Sequence, residues 1–314
     1  MPAAVFAQLT CEPGGVDVDL IRREIDTWIT SDALLALVTH FGGTAGSIAH
    51  LVEFSTVWDF RGGVLERYDT ERINYEPEVD AYLRAAIHTL GLGGFARPLH
   101  ESYDHVLVLG GGIRVALGRT AYAAQLIDEG LRVGSVAALG SLRPRNDLER
   151  AEAARIGIGP IATEADMMQI GVQRAFALGE PPAIHEGPGW WLHSWAGSEY
   201  SAGYDVHVLA AASTRPGQRA NTADTLLGWA SLVGAPKPTD RVLLVTNDPY
   251  VRLQHCDAIR LLGLEYGCGV ETVRLDAAAS AEWVRPLSTT ELLQEVRSSI
   301  LAMARLLDGL AEHA

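Results

Sequence analysis

Lysine is almost missing from this chain. Lys237 is the single one among 25 basic residues, so the other 24 are arginine. Schiff-base chemistry of the pyridoxal-phosphate or class I aldolase kind would therefore rest on Lys237 alone. A Walker A loop, which needs the G-K-[ST] tripeptide, is excluded. Cysteine is scarce too. Cys11, Cys256 and Cys268 form no C-x-x-C pair and no disulfide framework, which fits a reducing compartment. Met1-Pro2-Ala3-Ala4-Val5 shows no basic segment followed by an apolar one, so no signal peptide is expected. No apolar run approaches the roughly 20 residues that span a bilayer. The expectation is a soluble, cytoplasmic protein.

Further absences narrow the chemistry. Ten histidines produce no H-E-x-x-H and no metal-ligand spacing with cysteine or carboxylate, so no metal site is expected. G-x-S-x-G is missing, which removes the usual setting of a Ser-His-Asp hydrolase. The balance of 25 basic against 39 acidic residues gives −14, a charge that repels nucleic acid and anionic lipid. What is present in quantity is apolar: 48% of 314 residues, enough for a full core.

Two regions emerge along the chain. Residues 1–103 read as helical, with apolar residues at spacings of three and four over 19–38, and again over 78–87 behind Pro77. From 104 to 314 the pattern changes. A short continuous apolar run at 106–109 is followed by further strand-like segments at 133–139, 206–211, 242–245 and 270–275, which alternate with helical stretches. Strands buried on both faces read this way, and five of them alternating with helices predict a doubly wound, Rossmann-like parallel sheet. The segment 180–204, with Trp190, Trp191 and Trp195, interrupts the alternation and predicts a lid or short hairpin whose aromatics could cover a flat ring.

In such a sheet, ligands bind beyond the carboxyl ends of the strands. The first strand is followed by Gly110, Gly111, Gly112 and Arg114, the second by Ser141, Arg143 and Arg145. The third is followed by Ser213, Arg215, Arg219, Asn221 and Thr222, the fourth by Thr246, Asn247, Asp248, Tyr250 and Arg252, and the fifth by Asp276. Arginines in four of these five loops of an acidic protein predict an anionic small ligand. The glycines are not a dinucleotide fingerprint, because Val115 stands where its third glycine belongs. They do predict a tight turn whose bare amides approach a ligand at a helix N-terminus. Thr163 and Asp166 read as a capping box, which leaves Glu164 between them without a structural role.

Residues 104–276 resemble the SanA/YdcF/ElyC-like superfamily. The features that carry this are the strand and glycine turn at 106–112, Arg119 with Ala123, the helix start Glu164-Ala165-Asp166-Met167-Met168, the helix start Asn221-Thr222-Ala223-Asp224-Thr225, and the strand end Val245-Thr246-Asn247 with Arg252 nearby. Tyr250 stands where the superfamily carries a His, and Leu139-Gly140-Ser141 where it carries Ser-Gly-Gly. The resemblance implies a doubly wound fold with a nucleotide-like or S-adenosylmethionine-like ligand at the carboxyl edge. On this reading the chain is a transferase-like enzyme using S-adenosylmethionine. Gly110, Gly111 and Gly112 hold the anionic end, Arg114, Arg143 and Arg252 neutralise it, and Ser141, Asn221, Thr222, Thr246, Asn247 and Tyr250 complete the site. Glu164 or Asp248 serves as general base. Two other readings stay open: a non-catalytic sensor or partner subunit using the same pocket, and a phosphoryl or glycosyl hydrolase.

Overall fold

The computed structural model describes residues 6–61, 73–196, 203–215, 218–276 and 283–313. Residues 1–5, and the 197–202 part of the expected lid, lie outside them.

Four helices open the chain: α1 (Val18–Ile29), α2 (Asp32–His40), α3 (Ile48–Phe54) and α4 (Pro77–Thr89). Asp17, Ser31 and Ser47 cap the first three by accepting from backbone amides, and a proline in the first turn starts the fourth. The alternating part follows as β1 (Ser102–Leu109), α5 (Ile113–Asp128), β2 (Arg132–Ser141), α6 (Asp147–Arg155), α7 (Glu164–Ala175), β3 (Ala183–Gly187), β4 (Trp190–Trp195), β5 (Asp205–Ala211), α8 (Thr222–Leu232), β6 (Arg241–Thr246), α9 (Val251–Ala258), α10 (Leu264–Tyr266), β7 (Gly269–Arg274) and α11 (Thr289–Glu312). Gly267, at φ 71°, ends α10 in the left-handed conformation that only glycine adopts cheaply.

One sheet of seven strands runs β3-β4-β5-β2-β1-β6-β7. The five expected strands are all mutually parallel. The fold is therefore the expected doubly wound α/β sheet with a helical N-terminal region. The segment expected to be a lid or hairpin is a hairpin. β3 and β4 pair antiparallel, and β4 pairs antiparallel with β5, extending the sheet instead of covering a site.

Alternation along each strand sends side chains to two cores. Leu107 and Leu109 face α8, α9, α11 and the N-terminal helices, while Val106 and Val108 face α5 and α7. The N-terminal helices have no separate core: Trp28, Leu34, Leu51 and Leu83 belong to the same cluster as Leu107, Leu244 and Ile300. Each such side chain contributes about 1.5–3 kcal/mol by leaving water. A polar seam completes the join to α11, where Phe60 N–H donates to Gln294 Oε1 at 2.9 Å and Arg84 donates to Leu287 O at 3.1 Å.

The chain moves outward from β1 through β2 to β5, then returns across the sheet to β6 and β7. The winding reverses between β1 and β6. Loops there diverge to opposite faces and leave a crevice at the carboxyl ends.

Candidate functional site

A cavity of about 660 Å³ occupies this crevice. Its floor is the turn of Gly110, Gly111 and Gly112 between β1 and α5. Gly112 is the N-cap of α5 and supplies no side-chain acceptor, so no cap hydrogen bond covers the first-turn amides.

Two buried arginines set the orientation of that turn. Arg119, 2% exposed, donates Nη1 to Leu109 O at 2.8 Å and to Gly110 O. Its Nε and Nη2 donate to Asn247 Oδ1 at 3.0 and 2.5 Å, tying the end of β1 to the end of β6. Arg145, with a fully buried side chain, donates Nη1 to Gly111 O at 3.3 Å. A trans peptide points its N–H opposite its C=O. With three successive carbonyls held by guanidinium groups, the amides of Gly110, Gly111 and Gly112 are turned the other way. Such consecutive amides make an anion-binding concavity, and the helix dipole adds to it.

Gly110 has to be glycine for a steric reason. A Cβ there would lie 2.6 Å from Leu139 O and 3.0 Å from Glu164 Oε1. Gly110→Ala is expected to cost about 1–3 kcal/mol, the usual penalty of overpacking. Urea unfolding measures this, and an unchanged midpoint would show that the turn relaxes freely.

Arginines surround the mouth, but they are not idle. Arg114 pairs with Glu152 on α6, and Arg143 with Glu149 at 2.8 Å. Arg145 shares the same Glu149 at 2.6 Å. Burial alone would raise Glu149, but Arg143 and Arg145 outweigh it and hold the carboxyl below the usual range. One carboxylate thus serves two guanidinium groups behind the glycine turn, and Arg145 also faces Glu164. Arg61 from the N-terminal region and Arg285 ahead of α11 also line the cavity, paired with Glu295 and Glu291.

Glu164 opens α7, whose capping box between Thr163 and Asp166 is formed as expected. Its Oε2 accepts from the Ser141 hydroxyl at 2.6 Å, and its carboxylate lines the cavity. Ser141 itself is buried behind it.

The other expected site residues divide. Gly110, Gly111, Gly112, Arg114, Arg143, Glu164, Asn221, Thr222, Asn247 and Tyr250 all line the cavity. Asn221 also has a structural task, since its side chain accepts from Asp224 N–H at 3.1 Å as the cap of α8. Thr246 is fully buried and donates to Gln254, which lines the cavity in its place. Asp248 is exposed and sits over Gly93, where a Cβ would fall 2.2 Å from its Oδ1. It is not part of the cavity lining.

Arg252 is displaced most from the expectation. It lies inside α9 and not in a loop, 2% exposed, donating Nη2 to Ala7 O at 2.8 Å and to Phe6 O and Gly91 O. Its guanidinium lies 5.5 Å from the ring centroid of Trp28. Burial lowers it to about 10, so it remains charged at neutral pH. It braces the N-terminal segment and has no place in the cavity wall.

The aromatic cover is displaced as well. Trp195 is fully buried and donates to Gly179 O, and Trp191 stacks on His193. The tryptophan that lines the cavity is Trp283, packed on Gly118, where a Cβ would lie 2.6 Å from its Cγ. Trp283, Arg61 and Arg285 carry no local signal, because each lies far in sequence from the strand ends. Lys237 is exposed ahead of β6, at the opposite edge of the sheet. Among the described residues, no three of His, Cys, Asp and Glu stand close enough to hold a metal ion. Among them too, no helix is long and apolar enough to cross a membrane.

Fold and site together define a doubly wound α/β protein with a glycine-floored, arginine-rimmed cavity at the reversal of its sheet. Residues 12–91 match the Rv3785 N-terminal domain family. The chain is 30% identical to the uncharacterized protein Rv3785 of Mycobacterium tuberculosis, across 96% of this chain and 93% of that one. The uncharacterized protein Mb3814 of Mycobacterium bovis matches to the same extent. The chain belongs to the Rv3785 family. No solved structure matches it.

Proposed function

We propose that this protein is an enzyme that binds a ligand of adenosyl or nucleotide type by its carboxylate or phosphate end, S-adenosylmethionine first among them, for a group-transfer reaction. The observation that carries the reading is the glycine turn at the sheet reversal, where Arg119 and Arg145 hold the carbonyls of Leu109, Gly110 and Gly111 and so turn the following amides away. The cavity, about 660 Å³, has the size of a small-molecule site. In this reading the glycine turn takes the carboxylate or phosphate, with Arg114 and Arg143 at its side. Glu164 meets the polar middle, and Trp283 offers a face to the ring. The resemblance to the SanA/YdcF/ElyC-like superfamily supports it through the same turn and the same Glu164 helix start.

A second reading, a non-catalytic sensor using the same pocket, draws support from the acids. Glu149 and Glu152 are engaged by arginines, and Asp248 lies outside the lining, which leaves Glu164 as the one expected base within it. The same pairings deprive a glycosidase-like hydrolase of its two carboxylates.

Calorimetric titration with S-adenosylmethionine, ATP and inorganic triphosphate tests the proposal. At least one should bind, and Arg143→Ala should weaken it by about tenfold, the loss of one charge-assisted hydrogen bond. If none binds at millimolar concentration, the anion site is wrong. Transfer of a labelled methyl group to any acceptor in an extract would separate the enzyme from the sensor.

A further inference from the structure

We infer that Glu164, positioned by the buried Ser141, forms a subsite for a ribose-type hydroxyl pair beside the glycine turn, so that the ligand is a nucleoside derivative and not a simple anion. The inference rests on the reading of the cavity as an anion site and adds to it the class of group attached to the anion.

Most side-chain acceptors in the cavity wall are already occupied. Asn247 Oδ1 is taken by Arg119, and the Asn221 side chain by the amide of Asp224. Gln254 Oε1 is taken by Thr246, while Glu149 and Glu152 are taken by arginines. Glu164 differs from all of these. Among the described residues its Oε2 accepts from the Ser141 hydroxyl alone, and its Oε1 lies 3.0 Å from where a Cβ of Gly110 would be. An acceptor is therefore presented at the edge of the anion-binding turn.

The carboxylate is also held in place. Glu164 N–H donates to Arg143 O at 3.1 Å, and Ser141 Oγ, which fixes Oε2, itself accepts from Arg143 N–H at 3.3 Å. Thr163 caps the helix that carries it. Side chain and backbone both tie Glu164 to the end of β2, next to the end of β1.

The donor this acceptor calls for is a hydroxyl, not an ammonium. The buried Arg145 already interacts electrostatically with Glu164. A ligand cation would gain the carboxylate but also lie near the Arg145 guanidinium, which shares Glu149 with Arg143. A neutral hydroxyl gains the hydrogen bond without that repulsion, and two adjacent hydroxyls can use both oxygens of one carboxylate. A ribose ring carries such a pair a few ångströms from its phosphate or sulfonium substituent.

The test compares ATP, 2′,3′-dideoxy-ATP, inorganic triphosphate and S-adenosylmethionine by calorimetry on the unmodified chain. ATP should bind about ten- to a hundredfold more tightly than dideoxy-ATP. In Glu164→Ala that gap should close while triphosphate binds no more weakly than before, since a negative charge beside the turn is gone, and Ser141→Ala should narrow the gap. S-adenosylmethionine, if it is the better ligand, should lose affinity in Glu164→Ala by the same factor. Equal binding of ATP and dideoxy-ATP beside normal triphosphate binding would overturn the subsite and leave the anion site standing. Failure of all four to bind would remove the anion site and this inference with it. Because the dideoxy comparison needs no variant, a poorly folding Glu164→Ala would not rescue the idea.

Discussion

Arg252→Ala is expected to cost about 3–5 kcal/mol of folding stability and to leave ligand affinity within about twofold. The first term is volume: truncating a large, fully buried side chain costs about 2–5 kcal/mol. The second is polar. Phe6 O, Ala7 O and Gly91 O all accept from the same Nη2; the buried Gly91 O left without a donor costs about 1–3 kcal/mol, while the partly exposed Phe6 and Ala7 carbonyls can take water instead. The cation over Trp28 is also lost. Arg252→Met separates these terms, since it refills the volume but supplies no donor, and it should recover only part of the loss. Urea unfolding alongside a titration with S-adenosylmethionine decides the matter. A stable variant with tenfold weaker binding would return Arg252 to the anion site, where its place in the chain first suggested it.

Acidification should produce the second large effect. His255 is fully enclosed, with Nε2 on Leu9 O at 2.8 Å and Nδ1 on Thr272 Oγ1 at 3.0 Å. Burial, reinforced by Arg252 nearby, lowers its pKa from 6.5 to about 4. A histidine in the unfolded chain takes up its proton near 6.5, whereas the folded one resists until about 4. Stability is therefore complete above pH 6.5 and falls as the pH drops towards 4, by about 3 kcal/mol from this residue. His207 is also lowered by burial and contributes with the same sign. His255→Gln removes the titrating group and can still donate to Leu9 O. Its stability should change less between pH 7 and 4.5 than that of the parent, even if its value at pH 7 is lower. Parallel pH curves for the two proteins would show that His255 takes up its proton without cost.

The sheet was legible because of the way it is buried. Strands covered on both faces need apolar residues at every position, and the runs at 106–109 and 242–245 stand out for that reason. The glycine turn and Glu164 were legible for a related reason, since strand ends in a parallel sheet fix where a ligand meets the chain. The failures share a different cause. Arg252 follows the fourth strand closely enough to pass for a loop residue, but α9 is buried on nearly every side and so shows no polar face to mark which residues turn inward. The bracing role of Arg119 depends on carbonyl directions that no spacing reveals. Trp283 reaches the cavity by packing on α5 on one sheet face. Arg61 reaches it because α11 and the N-terminal helices close over the other face, a pairing of distant segments that local pattern does not encode.

That pairing also constrains how the molecule is made. Phe60 meets Gln294 across 234 residues of chain, and Phe6 and Ala7 meet Arg252 across about as many. During synthesis these N-terminal helices leave the ribosome with Trp28, Leu34 and Leu51 unshielded, and α11, which shares their core, is translated only after the whole sheet. The β1–α5–β2 unit can gather as it emerges, because its contacts are near in sequence. The opening helices have to wait. Such long-range closure is slow and leaves sticky intermediates open to aggregation. Expression at low temperature, or with a holding chaperone, should therefore raise the soluble yield more than any change at the cavity.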